Sequence, residues 1–339
     1  MQEATFVNDT LEGTLTLFFT DGSLKSISEF KAGKPDGMVK ELYPGGKLKQ
    51  TIEYKAGKPN GITTTYYENG QVHTEANLVN GEQSGFFKTY YENGQLDTEY
   101  YSKQGSKNGA FKTYNREGQL IITGIYLNGQ LEGENIGYYP NGKLQHEFYY
   151  QDGSKIGLNK VYHPNEKLKS SIRYSNQEKD QTIQLFYEDG TLQAEQQMVE
   201  AMPAGKWIYY HPNGKEKIIE KYENGRLQGE RISKSEQGNV LKIEPYVNGI
   251  LKDVVKEYNA DGVLLSETTY SSDKKHGKFT SYHPNGKVAW QGQFAGDKKG
   301  GKWQQFDPAG QLIKEEEYLN GKILSKNDKT NLSPLPKIL

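Results

Sequence analysis

TYYENGQ stands at residues 65–71 and again, letter for letter, at residues 89–95, a separation of 24. Stepping by 24 from Gly94 in both directions meets Gly22, Gly46, Gly70, Gly118 and Gly142, then Glu166 in place of glycine, then Gly190, Gly214, Gly238, Gly262, Gly286 and Gly310. A second column runs through Gly13, Gly37, Gly61, Gly85, Gly109, Gly133 and Gly157, breaks at Gln181, resumes at Gly205 and Gly229, breaks at Asp253, and returns at Gly277 and Gly301. No insertion or deletion disturbs either column, so each unit carries two turns.

In YYPNGKL (138–144) Pro140 presets φ, Asn141 tolerates the next position and Gly142 can turn left-handed, which together read as a type I turn with a glycine bulge. NGQLEG (128–133) reads as a longer second turn that closes on glycine before the next strand. The segments between turns, such as FFKTYY (86–91) and QLDTEYY (95–101), have strand length. The expected fold is all-β: an elongated antiparallel β-meander of about thirteen stacked hairpins over residues 1–323, in one layer or rolled on itself. An even stride keeps each column on one face, and a single inserted residue would turn a strand's apolar set outward. Some 26 strands at about 4.8 Å each would extend on the order of 120 Å, so twist is expected to curve the array. Units near 165–181 and 234–253 lose glycines and are expected to be irregular. The segment 324–339 leaves the repeat; its Pro334 and Pro336 are expected to blunt the last edge, and Leu335, Ile338 and Leu339 to fold back as a cap, with a tail that serves as a short ligand as the alternative.

Two columns are aromatic, one running from Tyr66, Tyr90 and Tyr114 to Phe306 and the other from Phe30, Tyr54 and Tyr126 to Tyr318, while a third, from Leu24 and Leu48 to Leu312, is aliphatic. All three are expected to share one face, where such cross-strand pairs contribute about 0.2–1 kcal/mol each. The position after the first aromatic column reads Tyr43, Tyr67, Tyr91, Asn115, Tyr139, His163, Tyr187, His211, Ser235, Asn259, His283 and Asp307. Alternation places it on the opposite face. Tyr67, Tyr91, Tyr139, His163, Tyr187, His211 and His283 are therefore the candidate binding residues, since such rings offer large contact area and a polar tip. The competing structural reading is that they pack on one another to stiffen a thin sheet.

Composition narrows the function. The 339 residues carry 42 Lys+Arg against 43 Asp+Glu, a net charge of −1, which argues against nucleic acid as a partner. A mean hydropathy of −0.87 leaves no run near the roughly 18 apolar residues of a membrane-spanning helix, and predicts a soluble chain. Residues 1–20 lack a signal-peptide pattern, yet a trimmed exported protein would read alike, so cytoplasm and periplasm or cell surface both stay open. The absence of cysteine excludes disulfides and thiolate metal sites. His163 and His211 lie four strands apart, about 19 Å, too far to share one ion, and no metal or other cofactor is expected. His73, His146 and His276 stand singly, and Trp207, Trp290 and Trp303 are too few for a full set of aromatic cages. Glu75, Glu99, Glu147 and Glu195 recur at steps of 24 or 48 and read as a solvated strand face rather than as acid–base pairs. With no G-x-S-x-G, H-E-x-x-H or P-loop string, no enzymatic activity is expected. DKKHGK (273–278) and DKKGGK (297–302) read as solvated loops, with anionic lipid as the weaker alternative.

YYENGQL, YYPNGKL, LNGQLEG and YHPNGK resemble the MORN-repeat variant family, bacterial proteins often labelled YwqK-family antitoxins, over about residues 6–323. The resemblance implies stacked hairpins and a protein-binding, antitoxin-like role, with no catalytic residues to transfer. The expected function is a non-enzymatic interaction scaffold for a protein partner, with a toxin as the partner the resemblance implies. A cell-surface glycan-binding repeat protein is the alternative, and a lipid-associated module a further one.

Overall fold

The structure, a computed structural model, describes residues 1–328, and every regular element among them is a β-strand. The strands fall into two compact units, Met1–Leu168 and a second that begins at Lys169. Within each, a strand pairs antiparallel with its sequence neighbours. In the first unit Leu96–Lys103 lies between Glu82–Tyr90 and Ser106–Tyr114; in the second Val288–Ala295 lies between Lys274–Tyr282 and Lys298–Phe306. Pairing continues to Lys322–Asp328, which joins Leu312–Leu319. The capping role expected of Pro334, Leu335, Pro336, Ile338 and Leu339 lies outside the described residues.

The first turn forms as its chemistry dictates. Gly142 has φ +79° and its N–H donates to the Tyr139 carbonyl at 2.8 Å, while the Tyr139 N–H closes the loop on the Lys143 carbonyl at 2.8 Å. The asparagine before the glycine has two tasks. Asn69 Oδ1 accepts from the Gln71 N–H at 2.8 Å, and its Nδ2 donates 2.8 Å to the Glu92 carbonyl of the next repeat. Asn93, Asn213 and Asn285 repeat both bonds.

The second turn differs from its sequence reading. It is a tight two-residue turn, as at Asn128 (φ +51°) and Gly129 (φ +85°), the left-handed pair of a type I′ hairpin. Gly133, expected to close the loop, lies inside the strand Gln130–Tyr138, where the register shifts between Thr123 and Ile125 as a bulge. Both features fall within six residues, so they read as one long turn in the sequence. Successive turns are again tied together: the Gly81 N–H reaches the Pro59 carbonyl at 2.7 Å, and the Asn80 N–H reaches Asn60 Oδ1 at 3.2 Å. Near Gln181 the bulge is absent and pairing from Ser175–Asp180 to Ser170–Leu185 is unbroken, while the turn lengthens to residues 176–179. The stride of 24 survives because residues lost from the bulge reappear in the turn. Asp253 adopts φ +89° in place of a glycine, and the flanking pairing persists.

The three columns expected on one face divide between the two. Phe87 stacks on Tyr100 at 4.8 Å, and Phe111 lies 4.8 Å from Tyr126. Tyr90 and Tyr114 stand three residues further along those strands. An odd separation points them to the other face, where they bond Glu75 and Glu99. The face of Tyr126 is centred on a column that residue type alone does not mark: Phe87, Phe111, Asn135, Asn159, Ile183, Trp207, Arg231, Val255, Phe279 and Trp303. Phe111, Val255 and Trp303 are among the four buried hydrophobic residues of the described chain. Neighbouring volumes compensate: a Cβ on Gly124 would lie 2.7 Å from the Phe111 ring, and one on Gly292 would lie 2.3 Å from the Trp303 ring. Where the column is polar its groups are paired. Asn135 meets His146 Nε2 at 3.1 Å, and Arg231 bonds Glu220 at 2.9 Å and Glu244 at 2.7 Å.

Candidate binding surface

The candidate residues occupy the position that leads each strand into the first turn, and all are half-buried. There the chain leaves its strand beside the turn of the next repeat, within reach of a long side chain. The Tyr67 hydroxyl donates to the Tyr90 carbonyl at 2.8 Å, Tyr91 to Tyr114 at 2.8 Å, Tyr139 to Tyr162 at 2.7 Å and Tyr187 to Tyr210 at 2.8 Å, and Tyr43 makes the same bond to Tyr66 at 2.8 Å. His211 Nε2 lies 2.9 Å from the Lys234 carbonyl and His283 Nε2 lies 2.9 Å from the Phe306 carbonyl. A carbonyl only accepts, so Nε2 carries the proton in both. His163 holds the equivalent place.

Short side chains in this column cap their own turn instead. Asn115 Oδ1 accepts from the Gln119 N–H at 2.9 Å, Asn259 Oδ1 from Val263 at 2.9 Å, and Asp307 Oδ1 from Gln311 at 2.7 Å. The polar tips that the sequence offers to a ligand are thus engaged by the next repeat's backbone, while ring edges stay accessible. Burial raises the Tyr67 and Tyr91 hydroxyls above the usual phenol range, helped by nearby carboxylates.

The rings of Tyr67 and Tyr91, with Glu92, Asn93 and Arg116, line a shallow groove of about 440 Å³, and the Arg116 guanidinium lies 5.7 Å over the Tyr91 ring. Tyr43, Pro44, Gly45, Lys47 and Glu68 line a similar one of about 320 Å³ a repeat earlier. These grooves lie in the first unit and combine aromatic edges, an amide and charges of both signs. The structure brings Tyr67 and Tyr91 into one groove and places Tyr43 in the other. Arg116 and Glu92 escaped the sequence reading. They follow the columns by one or two residues, and only the stacking of turns brings them beside the rings.

The acidic column is more than a solvated face. Glu75 accepts from Tyr90 at 2.7 Å, Glu99 from Tyr114 at 3.2 Å, Glu147 from Tyr162 at 2.6 Å, Glu195 from Tyr210 at 2.8 Å and Glu267 from Tyr282 at 2.7 Å. Burial, and then the bonded carboxylate, push Tyr90, Tyr162, Tyr210 and Tyr282 up to about 12. The expectation of one solvated row fails because the first aromatic column lies on this face. In the lysine-bearing loops, Lys275 turns onto the Phe294 ring at 5.3 Å and Lys299 onto Trp303 at 4.2 Å and Tyr318 at 4.9 Å. One of the three lysines of each loop is thereby drawn to aromatic faces rather than to a lipid surface.

The model of the MORN repeat variant family matches residues 35–56, 59–80, 85–104, 131–152, 155–176, 275–294 and 299–320. Residues between 177 and 274 carry the same strand pairing without a match. No curated protein sequence matches the chain. Among solved structures, that of TcdB2-TccC3-Cdc42 is 13% identical at a TM-score of 0.14, covering 90% of this chain and 20% of its own. That of TcdB2-TccC3-TEV is 14% identical at 0.14, covering 92% and 21%. The chain thus spans about a fifth of the length of those chains.

Proposed function

The chain belongs to the MORN-repeat family, and from that premise we propose that it is a non-enzymatic scaffold that binds a protein partner along the Tyr43, Tyr67 and Tyr91 edge of its first unit. The observation that supports this reading is the groove in which Tyr67 and Tyr91 expose ring edges beside Arg116, Glu92 and Asn93. Aromatic rings and arginine are the side chains that contribute most at protein interfaces, and here the rings are already held in place by the next repeat. A toxin neutralised by this surface is the finer form of the proposal.

Glu92 and Arg116 line the groove, and only their backbone carbonyls enter the turn ladder. The double variant Glu92→Lys/Arg116→Glu therefore tests the groove with little disturbance to the fold. Affinity capture from native lysate should yield one stoichiometric polypeptide with the wild type and lose it with the variant. Unchanged capture by a folded variant would overturn the surface. A hydrolytic activity that survives purification would overturn the non-enzymatic reading. A glycan partner rests on the same rings, and co-sedimentation with cell-wall polysaccharide, abolished by the same variant, would favour it instead.

A further inference from the structure

The face opposite the Phe87 and Phe111 core carries two rows that cross six strands of the first unit, from Lys58–Tyr66 to Leu120–Leu127. One row reads Thr64, Glu75, Lys88, Glu99, Lys112 and Thr123, each the register partner of the next. The second lies two residues away on the same strands and reads Ile62, Asn77, Phe86, Tyr101, Ala110 and Ile125. Ile62, Tyr101 and Ile125 are 49%, 59% and 46% exposed. Exposed side chains of this size, in line on one sheet face, are a surface without its cover.

We infer that this face binds a second copy of the chain, packed sheet on sheet about a two-fold axis that runs along the strands between Glu82–Tyr90 and Leu96–Lys103. That operation exchanges the strands in pairs. Lys88 then faces Glu99 of the copy, Glu75 faces Lys112, and Thr64 faces Thr123. In the apolar row Phe86 faces Tyr101, Ile62 faces Ile125 and Asn77 faces Ala110. The charged row reads the same from either end with its signs reversed, which is the condition for a self-complementary two-fold interface. A two-fold along the strands leaves the strand directions of the two sheets aligned, the commoner sheet-on-sheet arrangement.

An unrelated partner would have to reproduce the opposite charge sequence at the strand spacing of about 4.8 Å. This chain already does. The second unit does not repeat this alternation: five strides on, the places of Lys88, Glu99 and Lys112 hold Ile208, Ile219 and Ile232. With about twelve side chains a side, below the 20–30 of a standard interface, the dimer should dissociate in the micromolar range.

Sedimentation velocity from about 1 to about 200 µM tests this, with circular dichroism confirming that each variant folds. Glu75 and Lys112 lie three strands apart within one molecule, about 14 Å, and do not touch there. Glu75→Lys alone and Lys112→Glu alone should each weaken the dimer by about tenfold or more, because each places like charges opposite one another twice. The double variant Glu75→Lys/Lys112→Glu restores opposite charge only across the two-fold, and should recover dimerisation to within about threefold of wild type. A wild type that stays monomeric across the range, or a double variant as weak as the singles, would overturn the inference.

Discussion

Arg231 is the side chain whose removal should cost most, and the cost follows from its partners. Its Nε lies 2.9 Å from Glu220 and its Nη1 lies 2.7 Å from Glu244, two carboxylates only 9% and 7% exposed. Replacing it with methionine keeps the bulk and removes the charge. Glu244 retains Lys242 at 2.9 Å, whereas among the described residues Glu220 keeps the Tyr222 hydroxyl at 3.1 Å and no cation. Leaving one member of a buried pair uncompensated costs about 3–5 kcal/mol. Because the Arg231 side chain is 29% exposed, water softens the loss, and Arg231→Met should cost about 2–3 kcal/mol at neutral pH. The sign of its pH dependence is fixed as well. Burial raises the Glu244 carboxyl, but the bonded Lys242 and Arg231 outweigh it and hold the group below its usual 4.5. That carboxylate therefore adds stability above the unfolded value, and loses it as pH falls through the lowered folded value. Removing Arg231 shrinks this contribution, so the difference between variant and wild type should narrow below pH 4.5. Urea unfolding followed by tryptophan fluorescence is a direct assay, since Trp207, Trp290 and Trp303 all lie in the second unit. A loss below about 1 kcal/mol, or one that does not change between about pH 7 and about pH 4, would refute the reasoning.

Gly292 has ordinary φ and is glycine for space alone: its Cβ would meet the Trp303 ring at 2.3 Å, so Gly292→Ala should cost about 1–3 kcal/mol in the same assay. Gly300→Ala, whose Cβ would find only Ala295 at 4.0 Å, should be close to neutral. Glu166 holds φ +68° where other repeats have glycine, and its ion pair with Lys143 is exposed. Glu166→Gly should stabilise the first unit by about 1 kcal/mol, measured as a raised urea midpoint. Tyrosine absorbance titrated with base should show a late class containing Tyr90, Tyr162, Tyr210 and Tyr282, which ionises near 12 or only on unfolding. Their raised values favour the folded state below the ordinary phenol range, and that stability is lost as pH rises toward 12.

The stride was legible because glycine and asparagine leave signatures that do not depend on their neighbours: Gly94 and Gly142 sit where φ is positive, whatever surrounds them. The core was not. At Phe111, Asn135, Asn159 and Arg231 the same structural place is filled by ring, amide and guanidinium, because the requirement is for joint volume and joint polarity across paired strands. Gly124 beside Phe111 meets that requirement, as does Glu220 beside Arg231. A column read by residue type misses such compensation. The tyrosine row shows the opposite limit: its positions were legible, but the destination of each hydroxyl was not. Tyr91 reaches a carbonyl 23 residues away, and only the stacking of one turn on the next puts Tyr114 within 2.8 Å. Arg116 and Glu92 joined the groove for the same reason.

Two deletions through the strand Lys58–Tyr66 test most directly whether the constant stride holds the array together. Removing residues 63–86 takes out one whole stride of 24 and joins Ile62 to Phe87. Removing residues 63–85 leaves one residue more and joins Ile62 to Phe86. If register between neighbouring repeats carries the fold, the first variant should unfold cooperatively within a few degrees of wild type, and the second should lose tens of degrees or fail to fold, since every side chain beyond the junction faces the wrong way. Equal melting of the two would contradict it.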